Sequence, residues 1–467
     1  MEFTGKKAAA YGLGAVGKDM VYALSSGYVM YYYQDILGLS ASFVGTILMV
    51  ARVFDAVNDP FMGLLVAKTN TRWGKFRPWL LSGTVLNAFV LYALFAAPDL
   101  EGAGLMVYFA VIYILWGVTY TMMDIPYWSM IPAVTDTVPA REKLSVVGRT
   151  CAGVGNALIT VFTVMSVATL GSGIERTGFK RFALIIAVIF VITEVICCLA
   201  IKEKKSEKMH TASIKEMFAS LFHNDQAMVT VITIVLINTA LYITSNFIIY
   251  FFKYDLGGGS ADWQGSYTLF SMVGGASQIL GMMIVYPLIH KKLSNTSIFR
   301  LCLGVAIGGY LFLLLLCIFG LSNNLILLLI PGVLIFMGNG ILTVLTTVFL
   351  AGSVDYGEMK TGVREESVIF SMQTFVVKLG SGLAVFLTGI GLDFIGMQGN
   401  ADTEGEIVMQ SQETLNGLHY LMTIIPIIGL IVATLVFVKF FKLTDEKAEE
   451  ISKILKEKHA AELENNN

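Results

Sequence analysis

The sequence predicts an all-α membrane protein in which twelve transmembrane helices form two blocks of six. Composition is the first observation: 55% of the 467 residues are hydrophobic and 14% are charged, whereas soluble domains average about 25% charged residues. The second is the presence of 45 glycines and nine prolines, which suit membrane helices that pack closely and bend. The third is a series of apolar segments long enough to cross a bilayer. The net charge of −2 gives no indication of nucleic-acid binding.

Each predicted span is an apolar run that can supply the roughly 20 residues a helix needs to cross the hydrocarbon core. In chain order, the spans lie near residues 8–34, 40–67, 79–98, 105–134, 144–170, 178–201, 226–252, 265–289, 296–319, 324–351, 365–392 and 415–441.

The distribution of basic residues predicts that both termini are cytoplasmic. With that orientation, about 24 of the 32 Lys and Arg residues lie in cytoplasmic segments and about four lie in external loops, as the positive-inside rule requires. A basic cytoplasmic middle loop at 202–225 separates an N-terminal six-helix bundle, 1–201, from a C-terminal one, 226–441. Residues 442–467 form a cytoplasmic tail that reads as a charged helix ending in a disordered ENNN. Two six-helix bundles are the architecture of the major facilitator fold.

The second span contains charged residues on one helical face. Arg52, Asp55 and Asp59 are spaced i, i+3 and i+7, and Asn58 lies one turn from Asp55. Two carboxylates and an amide carbonyl are oxygen ligands that a hard cation such as Na⁺ or Li⁺ prefers, and two close carboxylates can also share a proton. The alternative is a structural role, in which Arg52 neutralises one Asp and a basic residue of another helix neutralises the other.

The fourth span contains a stripe suited to a sugar. Tyr120, Asp124 and Trp128 recur at i, i+4 and i+8, so that a carboxylate for hydroxyl groups lies beside aromatic rings for the C–H face of a sugar. Thr121 lies one turn before Asp124 and could offer a hydroxyl to the cation. The alternative for Trp128 is an anchor at the membrane interface.

Further charges lie within the predicted spans, where each would cost roughly 2.5–3.5 kcal/mol if left unpaired. Lys18 and Asp19 are adjacent and point about 100° apart on a helix, so we expect them to pair poorly with each other and to reach other helices or a ligand. Arg149 and Lys378 complete the charge balance, although Arg149 could instead extend to the interface. Glu194 is predicted to reach the interface from the end of the sixth span.

Five segments resemble one family of transporters. GKDMVYA, LMVARVFDAVNDPFMG, TRWGKFRPW, YILWGVTYTMMDIPYWSMIP and QTFVVKLGSG are similar to segments of the glycoside–pentoside–hexuronide:cation symporters of the major facilitator superfamily, the family of the melibiose carrier. The likeness is dense from about Tyr11 to Arg149 and returns around Lys378. It implies a multi-pass protein of the bacterial cytoplasmic (inner) membrane that couples Na⁺, Li⁺ or H⁺ influx to sugar uptake.

The resemblance also implies roles for individual residues. The positions that match the family's cation site, which would hold Na⁺, are Asp55, Asn58, Asp59 and Thr121. The positions that match or adjoin its sugar site are Lys18, Asp19, Tyr120, Asp124, Trp128, Arg149, Gln373, Thr374 and Lys378.

The expected partners are therefore a glycoside, a monovalent cation and the lipid bilayer, with no nucleic acid and no cofactor. A melibiose-like galactoside is the expected sugar, and a pentoside or glucuronide is the alternative. A regulatory cytoplasmic protein that binds the loops or tail is left open. A proton-coupled antiporter and a sugar sensor without turnover are the rival functions. An enzyme is not expected, because no nucleophilic His or Cys arrangement, metal-ligand spacing or phosphate-binding loop is present.

Overall fold

The computed structural model describes residues 5–134, 138–201, 222, 224–257, 263–362, 366–400 and 407–465. This part of the chain is helical, and its one β-type contact is an isolated bridge between Thr71 and Gly74. The helices are α1 Gly5–Tyr31, α2 Ala41–Lys68, α3 Arg77–Phe95, α4 Gly102–Val134, α5 Val138–Gly171, α6 Glu175–Ala200, α7 Asp225–Leu256, α8 Trp263–His290, α9 Asn295–Ile318, α10 Leu325–Thr361, α11 Glu366–Phe394, α12 Gln412–Phe440 and α13 Asp445–Asn465.

The helices α1–α12 each overlap one predicted span. Among the described residues, the ten helices α3–α12 are long and apolar enough to cross a membrane. The helices α1 and α2 are not among these ten, and they contain the charges Lys18, Asp19, Arg52 and Asp55, which lower their apolar character.

Two predicted helix bounds are wrong by more than one and a half turns. The tenth span was expected to end at residue 351, but α10 continues through Thr361 and ends where Gly362 adopts a φ of 76°, a left-handed conformation that favours glycine at a helix end. The fifth span was expected from residue 144, but α5 begins at Val138. In both cases the helix continues past the apolar run through polar residues, which hydrophobicity alone does not detect.

Helix starts follow ordinary capping chemistry. The side chains of Asn224, Ser294, Asn324 and Ser411 each accept a hydrogen bond from a backbone N–H in the first turn of the helix that follows. Such a cap satisfies one of the N–H groups that a helix start leaves without an intrahelical partner.

The chain divides into two compact units. The first comprises the described residues within Met1–Thr211, Gly257–Leu269 and Thr388–Gln410. Here α1 packs against α5 and α6, α3 packs against α4 and α6, and α2 packs against α4. Glycines permit close approach: a Cβ at Gly12 would lie 2.7 Å from Cys151 Sγ, and one at Gly83 would lie 2.9 Å from the backbone nitrogen of Met123.

The second unit comprises the described residues within Ala212–Leu256, Phe270–Leu387 and Ser411–Asn467. In it α7 packs against α10 and α12, and α9 packs against the same two helices. The predicted middle loop lies largely at 202–221 and 223, outside the described residues, so the predicted bundle boundaries stay predictions.

The tail helix α13 is part of the core of the second unit. Ile451 and Leu455 are buried in a cluster that includes Phe349 and Phe441. The Asp445 carboxylate accepts hydrogen bonds from the backbone N–H of Asn295 (2.7 Å) and the hydroxyl of Thr296 (3.3 Å) at the start of α9. The predicted charged helix is therefore present and packed, and it extends through Asn465, into the segment that was expected to be disordered; residues 466–467 lie outside the described part.

Candidate functional site

In the first unit, several predicted sugar-site residues surround the buried ammonium group of Lys18. Lys18, which is 2% exposed, places Nζ 2.8 Å from Asp124 Oδ1 and 3.0 Å from Asp19 Oδ2. It also donates a hydrogen bond to the Tyr120 hydroxyl at 3.2 Å. As expected, Lys18 reaches another helix through Asp124 of α4. Its long side chain also turns the tip toward Asp19, but Asp19 Oδ2 accepts no hydrogen bond among the described residues.

Trp128 lies in the same cluster. Its indole Nε1 donates a hydrogen bond to Asp124 Oδ1 at 3.1 Å, and its ring centroid lies 5.2 Å from Lys18 Nζ and 4.3 Å from Arg149 Cζ. These are distances at which cations interact favourably with the π system. The indole N–H and the ring of Trp128 are therefore both in contact with charged groups of the protein, and its role in the sugar site stays a prediction. Arg149 itself is exposed.

The predicted cation-site residues lie on α2 and α4, which pack together. Thr121 Oγ1 donates a hydrogen bond to Asp59 Oδ1 at 3.1 Å, and Asn58 is half-buried, with an amide nitrogen that has no hydrogen-bond partner among the described residues. Arg52 Nη1 lies 3.5 Å from Asp55 Oδ2, so one carboxylate does have the structural pairing considered as the alternative. The described residues contain no group of three or more His, Cys, Asp or Glu side chains that could hold a metal. A cation bound here would therefore rely on two carboxylates and neutral oxygen atoms.

Two residues beside this cluster were missed in the sequence. A Cβ at Gly117 would lie 2.8 Å from Asp55 Oδ1, so this glycine leaves the space that the carboxylate occupies. The Tyr22 ring centroid lies 5.4 Å from Arg52 Cζ and 5.4 Å from the Tyr120 ring centroid. Tyr22 thus links the Arg52 side chain of α2 to the aromatic stripe of α4. Gly117 precedes Thr121 by one turn, and that spacing could have identified it.

A reciprocal tyrosine pair fixes α1 against α4. The hydroxyl of Tyr11 donates to the Tyr127 carbonyl at 3.0 Å, and the hydroxyl of Tyr127 donates to the Tyr11 carbonyl at 2.6 Å. Their rings stack with centroids 4.4 Å apart. A Cβ at Gly148 of α5 would lie 2.9 Å from the Tyr11 ring and 3.2 Å from the Trp128 ring. These contacts determine the positions of Lys18 and Trp128 and so pre-organise the cluster.

The predicted eleventh-helix residues belong to the second unit. Lys378 is half-buried on α11 in the second unit, and its backbone carbonyl accepts a hydrogen bond from Ser381. The side chains of Gln373 and Thr374 lie outside the described part of the chain. Their predicted contribution to the sugar site stays a prediction.

Glu194 does not reach an interface. The residue is 0% exposed on α6, where it lies against Gly14 of α1 and near Cys197. The expectation rested on its closeness to the end of the helix, but α6 packs against α1, α3 and α5, and these neighbours enclose the side chain.

Comparisons with known proteins identify the family. Residues 10–445 match the family model described as MFS/sugar transport protein. The isoprimeverose transporter of Lactiplantibacillus pentosus is 29% identical over 97% of this chain and 91% of its own length. The raffinose carrier protein of Pediococcus pentosaceus is 28% identical over 94% of this chain and 70% of its own length.

A solved structure shows the same fold. The nucleoside transporter NupG superposes with a TM-score of 0.65 at 13% identity, covering 93% of this chain and 100% of that one. The likeness at this identity concerns the fold alone. Together with the helices described above, these matches identify a multi-pass transporter of the bacterial inner-membrane type, and not an enzyme. The chain belongs to the MFS/sugar transport protein family.

Proposed function

We propose that this protein is a secondary active symporter that couples the influx of Na⁺, or of Li⁺ or H⁺, to the uptake of a glycoside by alternating access. The observation that supports the proposal most directly is the buried Lys18–Asp124–Trp128 cluster. In it, the lysine Nζ lies 2.8 Å from a carboxylate oxygen of Asp124 and 5.2 Å from the centroid of the Trp128 ring. An exposed arginine, Arg149, adjoins this ring.

Each part of the cluster matches one feature of a sugar. A carboxylate accepts charge-assisted hydrogen bonds from two hydroxyls, an ammonium group donates to ring or glycosidic oxygens, and an aromatic ring covers the apolar C–H face. Asp19 and Asp124 each keep about a fifth of their side-chain surface exposed, at 20% and 22%. A ligand could therefore reach these carboxylates while Lys18 stays buried.

The proposed cation residues are adjacent to the proposed sugar residues along α4. Thr121, which donates to Asp59, lies three residues before Asp124 and therefore one helical turn away. A cation at Asp55, Asn58, Asp59 and Thr121 would neutralise the carboxylates and favour the approach of α2 to α4. Occupancy of one site would then raise affinity at the other, and this coupling is reciprocal. One positive charge that moves inward through about 100 mV releases roughly 2.3 kcal/mol, which corresponds to about a fifty-fold sugar accumulation.

The topology that this function requires is twelve spans with both termini cytoplasmic. The charges of α1 and α2 would then face the protein interior, as intramembrane charges do in transporters. A melibiose-like galactoside is the proposed sugar. The relatives named for isoprimeverose and raffinose are a reason to test pentosides, glucosides and glucuronides in the same assay.

The deciding experiment is uptake into membrane vesicles of labelled galactosides, glucosides, pentosides and glucuronides, with and without a sodium gradient. The expected result is accumulation of one sugar class, and Na⁺ or Li⁺ should stimulate it. If H⁺ is the coupling ion instead, the external medium should become alkaline during uptake. Sugar-independent proton exchange would instead identify the antiporter. Binding without net uptake would identify a sensor.

A further inference from the structure

Glu194 on α6 is a buried ionisable group of the first unit. Its side chain is fully enclosed, and both carboxyl oxygens, Oε1 and Oε2, have no hydrogen-bond partner among the described residues. An ionised carboxylate in such surroundings costs several kcal/mol, and buried groups of this kind become neutral instead. No role proposed above for the cation or the sugar involves this residue.

The chain leaves space for this carboxyl group. A Cβ at Gly14 would lie 3.1 Å from Glu194 Oε2 and 3.1 Å from Cys197 Cβ, so any side chain at position 14 would crowd the acid. Gly14 and Lys18 are one turn apart on α1, and residues with this spacing lie on one face of a helix. The carboxyl group of Glu194 therefore lies against the same face of α1 that bears Lys18, at a position one turn before it.

The surroundings contain both signs of charge. Arg77 of α3 is engaged by the Cys198 carbonyl, to which its guanidinium donates a hydrogen bond. The titratable and charged groups around Glu194 are Tyr11, Lys18 and Asp19 on α1, Asp124 and Tyr127 on α4, and Cys197 on α6. Arg77 on α3 and Cys198 on α6 lie beside Cys197.

We propose that Glu194 is a proton-binding site, separate from the cation site on α2, whose proton is linked to sugar binding at Lys18 and Asp124. The proton exchanges with water. The structure shows Lys18 paired with Asp124 and Asp19, and we assign this arrangement to the form in which Glu194 is neutral. When Glu194 is ionised, it becomes a further anionic neighbour of Lys18 and competes with Asp124 for the ammonium group. Loss of the proton therefore weakens the arrangement that holds the sugar-facing carboxylate, and sugar binding in turn favours the proton-bound form.

The protonation claim can be tested without any transport activity. Infrared difference spectra of the purified full-length protein in lipid vesicles, recorded between acidic and alkaline buffer, detect the carbonyl stretch of a protonated carboxyl group. We expect such a band in the wild-type protein near neutral pH. The band should be lost in Glu194→Gln and retained at a shifted frequency in Glu194→Asp. Glu101→Gln, which removes an exposed carboxylate, is the matched control and should leave the band unchanged. An identical band in Glu194→Gln would overturn the proposal.

The link to sugar rests on the proposed function and has its own measurement. Melibiose affinity can be measured by isothermal titration calorimetry in detergent. It should fall as the pH rises across the range in which the infrared band disappears. For one linked proton, the fall is at most about tenfold per pH unit. Glu194→Gln should keep the wild-type affinity found at low pH and lose this dependence. An unchanged pH profile in that variant would overturn the linkage. Absence of melibiose binding at every pH would count against the proposed sugar, while the infrared result would still decide the protonation state of Glu194.

Discussion

Lys18 Nζ on α1 and Asp124 Oδ1 on α4 form an ion pair of 2.8 Å in which the lysine is almost fully buried. The same carboxylate oxygen accepts the Trp128 indole N–H. Removal of one partner of a buried pair leaves an uncompensated charge, which typically costs about 3–5 kcal/mol. The pair therefore has a structural role that must be separated from any role in ligand binding.

The first prediction separates these roles with a double variant. Asp124→Asn should lower the thermal unfolding temperature and abolish sugar binding, whereas Lys18→Met combined with Asp124→Asn should restore part of the stability because the buried ammonium group is then removed as well. Asp19 also loses its partner in this double variant, but 20% of its side chain is exposed to solvent. Sugar binding should stay absent in the double variant. Asp99→Asn, which removes a 92% exposed carboxylate from an ion pair with Arg176, is the control. Near-normal sugar affinity in Asp124→Asn would remove this residue from the sugar site.

The second prediction concerns coupling. Asp59→Cys removes the carboxylate that accepts from Thr121 and should abolish cation-driven uphill uptake while sparing downhill sugar movement, because the sugar residues stay in place. Uptake into vesicles with and without an imposed sodium or proton gradient provides the measurement. If the variant responds to both gradients as the wild type does, the cation lies elsewhere.

The third prediction tests the space beside Asp55. Gly117→Ala would place a methyl group 2.8 Å from Asp55 Oδ1 and so displace this carboxylate. We expect the sodium concentration for half-maximal stimulation to rise by about tenfold. This is the lower end of the loss in ion affinity, about ten- to a hundredfold, that follows when groups supporting an ion's ligands are disturbed. Gly104→Ala lies on the same helix, where the nearest atoms are 3.9 Å away, and should behave as wild type. Equal sodium responses in the two variants would show that Asp55 is not a ligand.

The fourth prediction concerns the tail helix. Leu455 is buried in the core of the second unit, whereas its neighbour Ile454 is 46% exposed. Leu455→Ala should lower the free energy of unfolding by about 2–5 kcal/mol, as large-to-small core substitutions do, and Ile454→Ala by much less. Thermal unfolding of the purified variants in detergent checks the difference. Equal losses would mean that the buried side of α13 is not an integral part of the core.

The long helices could be placed from sequence because apolar runs of sufficient length determine where a membrane helix lies. Helix ends were less certain: α10 extends through polar residues to Thr361, and only the left-handed Gly362 marks its end. The direction of a Cβ also follows from the helical period, which is why Tyr120, Asp124 and Trp128 could be grouped from the sequence.

The contacts of long side chains could not be predicted in the same way. Lys18 reaches the carboxylate of Asp19 because its flexible stem can bend the tip back, which a 100° angle between Cα–Cβ directions does not exclude. The burial of Glu194 depends on how α6 packs against three other helices, and a position along one helix contains no information about those neighbours.

The close glycine packing of α1 restricts how sugar preference can change during evolution. Side chains larger than hydrogen at Gly12 and Gly14 would collide with α5 and α6, so α1 has little freedom to shift toward a differently shaped substrate. Arg149, by contrast, is exposed beside the indole of Trp128 and can be exchanged without repacking a core. New sugar specificities in such a protein are therefore expected to arise first at position 149, while the residues of α1 stay fixed.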